Sequence, residues 1–392
     1  MDEIAEACRT LEDQIIDWRR EFHRHPELSY QETWTGRRIQ AELDRLGLPW
    51  EAIPESTSFA ATVEGARPGP AVALRADIDG LPVTEDTGLA FASETEGVMH
   101  ACGHDGHIAM LLGAASVLAA RRDQLAGRVH LLFQSAEEVG GGAVELIRWL
   151  MDHGGAERVA ALHIWSSLPA GTLMLYPGAT MSGLFAFKIT FRGEGGHGSR
   201  PDLVRDPIKA ACDVVLQLSA IPVNYYDALD HAVVHIGQIH AGTAPNIFPE
   251  TAEVIGGVRY FNPAGPPELM DLIKRMLHGA ELTHNVECRI DFSPVLTPVM
   301  NDAAALAEAR QALAAVDGLE LLDATQPLMG SDNYSLFTAE YPGFYGFLGA
   351  ADDERGLNVQ QHSPHFDLDE AVLVQGTEFL VRYALGVLGV RG

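Results

Sequence analysis

The chain has 392 residues, 47% apolar and 21% charged. At roughly 150 residues per domain that is enough for two domains with cores of their own, and the balance excludes a disordered chain. Lysine and arginine number 27 against 54 aspartates and glutamates, a formal charge of −27 that repels phosphate backbones and anionic lipid heads, so neither nucleic acid nor a membrane surface is an expected partner.

In chain order, residues 11–24 and 32–46 have helical spacing, 71–75 (AVALR) is a short apolar run of the kind that forms a buried strand, and 110–121 is helical again. Residues 128–133 (RVHLLF) read as a strand, 143–153 as a helix and 159–164 as a strand. Strands alternating with helices of this length predict an α/β fold, a mostly parallel sheet with helices on both faces. The pattern then changes. Phe185, Phe187, Ile189 and Phe191 alternate with small or polar residues, as in a half-solvated antiparallel strand. A helix at 206–219, strands at 232–240 and 251–260, a helix at 267–282 and a strand at 286–293 complete a β-α-β-β-α-β order, the ferredoxin-like unit. From residue 303 the chain returns to helix and strand, with a strand at 343–348 and a final helix at 370–388. The expected organisation is a discontinuous catalytic domain, residues 1–181 and 295–392, with an inserted α+β lid and dimerisation domain at 182–294.

Four scattered cysteines, Cys8, Cys102, Cys212 and Cys288, form no disulfide framework. The first residues, Met1-Asp2-Glu3-Ile4, are acidic where a signal peptide is basic, and the apolar stretch at 108–120 is too short to span a bilayer. A cytoplasmic location is expected.

In an open parallel sheet, functional groups gather at the carboxyl ends of the strands. AVALR runs into Asp77 and Asp79, RVHLLF into Glu137 and Glu138, and VAAL (159–162) into His163. Between the first two lies HACGHDGH (100–107), with five metal-capable side chains in eight residues, and His362-Ser-Pro-His365 precedes the last helix. Each signal alone is weak; a shared site explains their coincidence. Imidazole, thiolate and carboxylate together suit zinc and other first-row divalent ions, and more than four candidates suggest two ions bridged by a shared group. The spare carboxylate of the Glu137-Glu138 pair is then the natural base for a water nucleophile. The chemical rival is Cys102 as a nucleophile with His104 or His107, which leaves Glu137, Glu138, His163 and His362 without a role.

RADIDGLPVTE (75–85), HACGHDGH (100–107), QSAEE (134–138), HIWSSLPAG (163–171), GEGGHGSRP (193–201), GTAPNIFPE (242–250) and QHSPHF (361–366) resemble the M20 metallopeptidase family, in its branch of hippurate hydrolases, N-acyl-amino-acid amidohydrolases and indole-acetyl-amino-acid hydrolases. The resemblance implies Cys102, His104, Glu138, His163 and His362 as metal ligands, Glu137 as catalytic base and Asp77 as the acid that orients a ligand from behind. It also implies two divalent ions per subunit (Zn, Mn, Co or Ni), and lid residues His197 (catalytic), Asn246 and Arg259 (substrate-binding), with dimerisation through the lid. The activity implied is hydrolysis of the amide bond of an N-acyl amino acid or similar small amide by a metal-bridged water that Glu137 activates. A dipeptidase or carboxypeptidase of the same family is the alternative, and a catalytically silent metal-containing binding protein a more distant one. Two positions depart from the family pattern: Asp202 stands where many relatives have His, and Gly330-Ser331-Asp332-Asn333-Tyr334 where they usually carry Ser-Glu-Asp-Phe.

Overall fold

The computed structural model describes residues 2–390. The chain divides into two compact units: Met1–Thr180, Val299–Pro327 and Asp332–Gly392 form the first, Met181–Pro298 and Leu328–Ser331 the second. An eight-stranded sheet lies in the first and a four-stranded sheet in the second. Their strands are, in chain order, β1 (Trp50–Ala52), β2 (Phe59–Glu64), β3 (Arg67–Asp77), β4 (Ala126–Gln134), β5 (Arg158–Pro169) and β6 (Thr172–Met174). There follow β7 (Gly183–Arg192), β8 (Ala232–Ala241), β9 (Thr251–Tyr260), β10 (Glu287–Phe292), β11 (Glu320–Leu322) and β12 (Gly343–Ala351).

The large sheet runs β1-β2-β4-β3-β5-β12-β6-β11. Its centre, β4-β3-β5-β12, is parallel, and β1, β2 and β6 join it antiparallel. Parallel strands need both faces covered, and the sequence supplies this: β12 is buried along all but its last residue. Helix α1 (Glu12–Arg24) and α2 (His104–Ala120) pack on this unit, as does α3 (Val372–Val387) near the chain end. Helix α2 is apolar on every side, as a helix enclosed by neighbours must be; residues from Ile108 to Leu118 pack against α1, α3 and β3.

Helical spacing predicts this helix from residue 110, but it starts at His104. The polar opening, His104-Asp105-Gly106-His107, hides the first turn from a hydrophobic pattern. Gly103, at φ +87°, turns the chain from the Cys102 loop into the helix through a conformation that side chains with a Cβ rarely adopt. A second surprise is Arg19 of α1, which is fully buried. It donates to Asp105 at 3.0 Å, Asp367 at 2.9 Å and Glu370 at 3.1 Å, and His23 bonds Asp105 at 2.8 Å. Buried ion clusters of this kind define position more than they add net stability. Here the cluster ties the first turn of α2 to the segment that follows His362.

The second unit has sheet order β8-β9-β7-β10, antiparallel throughout. One helix (Pro207–Ser219) lies between β7 and β8 in the chain, and a longer one (Pro266–His284) between β9 and β10, the β-α-β-β-α-β order read from the sequence. Phe185, Phe187, Ile189 and Phe191 all point inward, packed with Val254, Val258, Leu269 and Ile273. The first helix starts where its chemistry dictates, with Asp206 accepting the Ile208 amide at 2.9 Å and Pro207 in the first turn.

Candidate metal centre

The carboxyl ends of β3 and β4, the middle of β5 (which runs on past His163 to Pro169), the loop before α2 with that helix's first residue, and the loop before α3 bring Asp77, Cys102, His104, Glu137, Glu138, His163 and His362 together in the first unit. His104 donates Nδ1–H to the carbonyl oxygen of Asp79 at 2.9 Å, which leaves Nε2 as the nitrogen for an ion. That Nε2 is buried and has no hydrogen-bond partner; it lies 3.8 Å from Glu138 Oε1, which is likewise buried and unpartnered. Glu138 Oε1 is also 3.5 Å from His362 Nε2. His163 donates Nδ1–H to its neighbour's carbonyl, Ile164 O, at 2.6 Å, which leaves Nε2 facing Cys102 Sγ at 3.5 Å.

Donor atoms of Cys102, His104 and His163 lie within 4.8 Å of one another, as do those of Cys102, Glu138 and His362. Cys102 is common to both triads. The set therefore fits divalent ions: sulfur, imidazole nitrogen and carboxylate oxygen converge, and two of these atoms are buried with no hydrogen-bond partner among the described residues.

The electrostatics agree. Burial, reinforced by the charges of Asp332 and Glu138 and opposed by Arg75, pushes the Glu137 carboxyl well above the usual range. Burial also raises Glu138 against the pull of His104 and His362, and lowers His163 to about 3. Burial drives the Cys102 thiol up, so a thiolate there, whether as nucleophile or as ligand, needs a cation beside it.

Around these groups stands a buried polar frame that the motifs did not reveal. Arg75 donates to Gln134 at 2.9 Å, to Asp77 at 2.6 Å and to Asp332 at 3.3 Å. Asp332 also accepts the Tyr334 amide at 2.7 Å and the hydroxyl of Tyr345. Beside it, Asn333 accepts from Gln134 Nε2 at 2.7 Å and donates to Gly141 O at 2.8 Å, and its own amide faces Glu137 Oε1 at 3.4 Å. The departure at 332–333 is thus an acid for the guanidinium and a carboxamide matched to one acceptor and one donor. A signal for the frame was present: Arg75 and Asp77, two apart on a strand, share a face. Glu32, also buried, accepts the Ala136 amide at 2.8 Å and so holds the residue before Glu137, which sits at φ +57° without being glycine.

Asp77 departs from expectation in one respect. Its close bond goes to His107 Nδ1, at 2.5 Å, whereas His104 Nε2 is 3.7 Å away.

His197, Asn246 and Arg259 belong to the second unit. His197, exposed, pairs with Ile247 in a short antiparallel ladder, and Asn246 accepts the Gly198 amide at 2.8 Å, so these two are neighbours. Arg259 donates to Met329 O at 2.8 Å and Ser331 Oγ at 2.9 Å and has no carboxylate partner among the described residues. Asp202 pairs on the surface with Arg200 at 2.8 Å.

A model of peptidase family M20/M25/M40 matches residues 73–386. The chain is 35% identical over 380 residues to thermostable carboxypeptidase 1 of Saccharolobus solfataricus, covering 96% of both chains. It is 34% identical over 386 residues to N-acetylcysteine deacetylase of Bacillus subtilis, covering 97% of this chain and 99% of that one. A solved dinuclear metal-binding peptidase of the M20 family from Bacillus subtilis superposes with a TM-score of 0.84 at 31% identity, over 98% of this chain and all of the other.

Proposed function

The chain belongs to peptidase family M20/M25/M40, and we propose that within it this protein is a metal-dependent amidohydrolase that releases the acyl group from N-acyl amino acids or similar small amides. The observation that carries the reading is the convergence of Cys102, His104, Glu138, His163 and His362, with two unpartnered buried donor atoms, beside a glutamate that is not needed to complete either triad.

Those five residues would hold two divalent ions, which when bound supply Lewis acidity and lower the pKa of water. Glu137 takes the proton from the attacking water as the C–O bond forms, and delivers it to the nitrogen as the C–N bond breaks. One proton is therefore moved twice and none is left over. Burial suits Glu137 to this work, because a carboxyl held above the usual range is the stronger base toward the water's proton. His197 is assigned the hydrogen bond to the carbonyl oxygen as it gains charge. Asn246 is assigned a polar group of the substrate, and Arg259, a guanidinium without a carboxylate of its own, the substrate carboxylate. A homodimer through the edge strand β8, whose outer backbone groups are unpaired within its sheet, belongs to the same reading. No helix among the described residues is long and apolar enough to cross a membrane; the cytoplasm is the location this reading assigns.

The similarity to a carboxypeptidase favours a second reading in which the acyl side is itself an amino acid. Both are tested by assaying the protein, reconstituted with Zn²⁺, Mn²⁺, Co²⁺ or Ni²⁺, against N-acetyl, N-benzoyl and longer N-acyl amino acids alongside dipeptides and short peptides. Preference for the acyl amino acids supports the first reading and preference for peptides the second. Hydrolysis of neither overturns both.

A further inference from the structure

His107 stands one helical turn after His104 on α2, its ring 5.4 Å from that of His104. Together with Asp77 and His104 it forms a cluster whose donor atoms are close enough to hold an ion. Its hydrogen bonds give it a different task. A backbone N–H can only donate, and the amide of Ile164 donates to His107 Nε2 at 2.9 Å. That nitrogen therefore bears the lone pair, the proton sits on Nδ1, and Nδ1–H donates to Asp77 Oδ1 at 2.5 Å. Both ring nitrogens are engaged and no lone pair remains for an ion. Asp77 cannot turn to release the ring, because its other oxygen accepts from Arg75 at 2.6 Å.

The far end of this relay is the backbone beside His163. The β3–β5 register ends at Arg75↔Ala161, and three residues later the buried Ile164 is met by the His107 ring instead of a strand on that register. The carbonyl of Ile164 in turn accepts His163 Nδ1–H at 2.6 Å and Gln361 Nε2 at 3.1 Å. The residue that fixes the His163 tautomer is thus pinned at its amide by His107.

We propose that His107 is a positioning residue: with Arg75 and Asp77 it locks the backbone at Ile164 and so presents His163 Nε2 toward Cys102. This rests on the metal-centre reading above. Groups that orient a metal-binding histidine from behind typically contribute 10–100-fold in metal affinity. Leu at 107 would leave a buried amide and a buried carboxylate unpaired, whereas Gln carries an acceptor that can reach the Ile164 amide.

The test has two parts. In metal-free protein labelled with ¹⁵N at histidine, His107, identified by its loss in His107→Gln, should show a protonated Nδ1 and an unprotonated Nε2; the opposite tautomer overturns the proposal. Metal-free wild type, His107→Gln and His107→Leu are then titrated with Co²⁺, with the bound metal counted and the thiolate-to-cobalt absorption recorded. All three should bind the same number of ions, with affinity about 10–100-fold weaker in His107→Leu and nearer wild type in His107→Gln. Loss of one ion in His107→Gln makes His107 a ligand and overturns the proposal, as does wild-type affinity in His107→Leu. If His107→Leu does not fold, the Gln variant and the tautomer decide. Wild type that binds no Co²⁺ sinks the metal-centre reading, and this proposal with it.

Discussion

His104 Nε2 and Glu138 Oε1 face each other 3.8 Å apart, both buried and neither with a hydrogen-bond partner. Two such atoms left unmatched in a folded protein cost about 1–3 kcal/mol each, more if charged, and cations held in the two triads to which they belong would remove the cost.

Glu137→Gln should keep the fold and the metal affinity while turnover falls by at least about 10²–10⁴-fold, the scale of general-base catalysis. KM should change little, because the substitution alters no group assigned to substrate binding. Steady-state kinetics with metal analysis on the same preparation check this; turnover within about tenfold of wild type, well under 2 kcal/mol of barrier, means the base is another group.

Asn333→Asp places a second acid beside Asp332, and it should destabilise this protein. The carboxamide nitrogen that now donates to Gly141 O would become an oxygen facing an oxygen, 2.8 Å away. Gly141 O keeps its other donor, Gln134 Nε2 at 2.9 Å, so the cost is that of the new buried oxygen left without a donor, about 1–3 kcal/mol. Urea denaturation of the two proteins at pH 7 measures it, and equal midpoints and slopes contradict the role given to the Asn333–Gly141 bond.

The motif loops were legible because Cys, His and Glu at successive strand ends have few other reasons to coincide. Partnerships were not. Asp77 reads as a support for a ligand, but its short bond is to His107, which the sequence shows only as one more histidine in a crowded motif. Arg75 and Asp332 are 257 residues apart in the chain, and their pairing depends on which strands become neighbours. Arg19 sits in a helix whose spacing alone gives no reason to bury a guanidinium; Asp105, Asp367 and Glu370 make it possible from two other segments. Helices and strands were readable where apolar residues repeat, and the start of α2 was missed where polar site residues interrupt the repeat.

Stability should fall with pH through His130. The ring is buried in β4 beside Trp149, bonds Thr62 Oγ1 at 3.0 Å through Nδ1, and has no partner for Nε2. Burial, with the charges of Arg128 and His153, lowers it to about 4. An unfolded histidine takes up a proton near 6.5, so between about pH 6.5 and 4 the unfolded state binds more protons and stability declines as pH falls; below that window the contribution is flat. The loss is on the order of 2–3 kcal/mol. His130→Asn keeps a polar group for Thr62 without titrating, and its denaturation free energy should fall less than that of wild type from pH 7 to 4. Parallel curves contradict the assignment.

If His197 serves the site of a partner subunit, mixing Glu137→Ala with His197→Ala protein should restore activity that neither has alone, because one site of each mixed dimer keeps both groups. His197→Ala alone should lose about 10²–10³-fold in turnover, the scale of one oxyanion donor. Mixed dimers that form and stay inactive place His197 in its own subunit's chemistry or in none.

Cys102 belongs to both triads, so two ions held there would both depend on it. Anomalous diffraction from crystals of the Mn²⁺- or Zn²⁺-loaded protein, collected on both sides of the absorption edge, tests this most directly. Two peaks are expected, one among Cys102, His104 and His163 and the other among Cys102, Glu138 and His362, with the Cys102→Ala crystal losing both or retaining them only weakly. A single peak at Asp77, His104 and His107, or full occupancy of two peaks without Cys102, would contradict it.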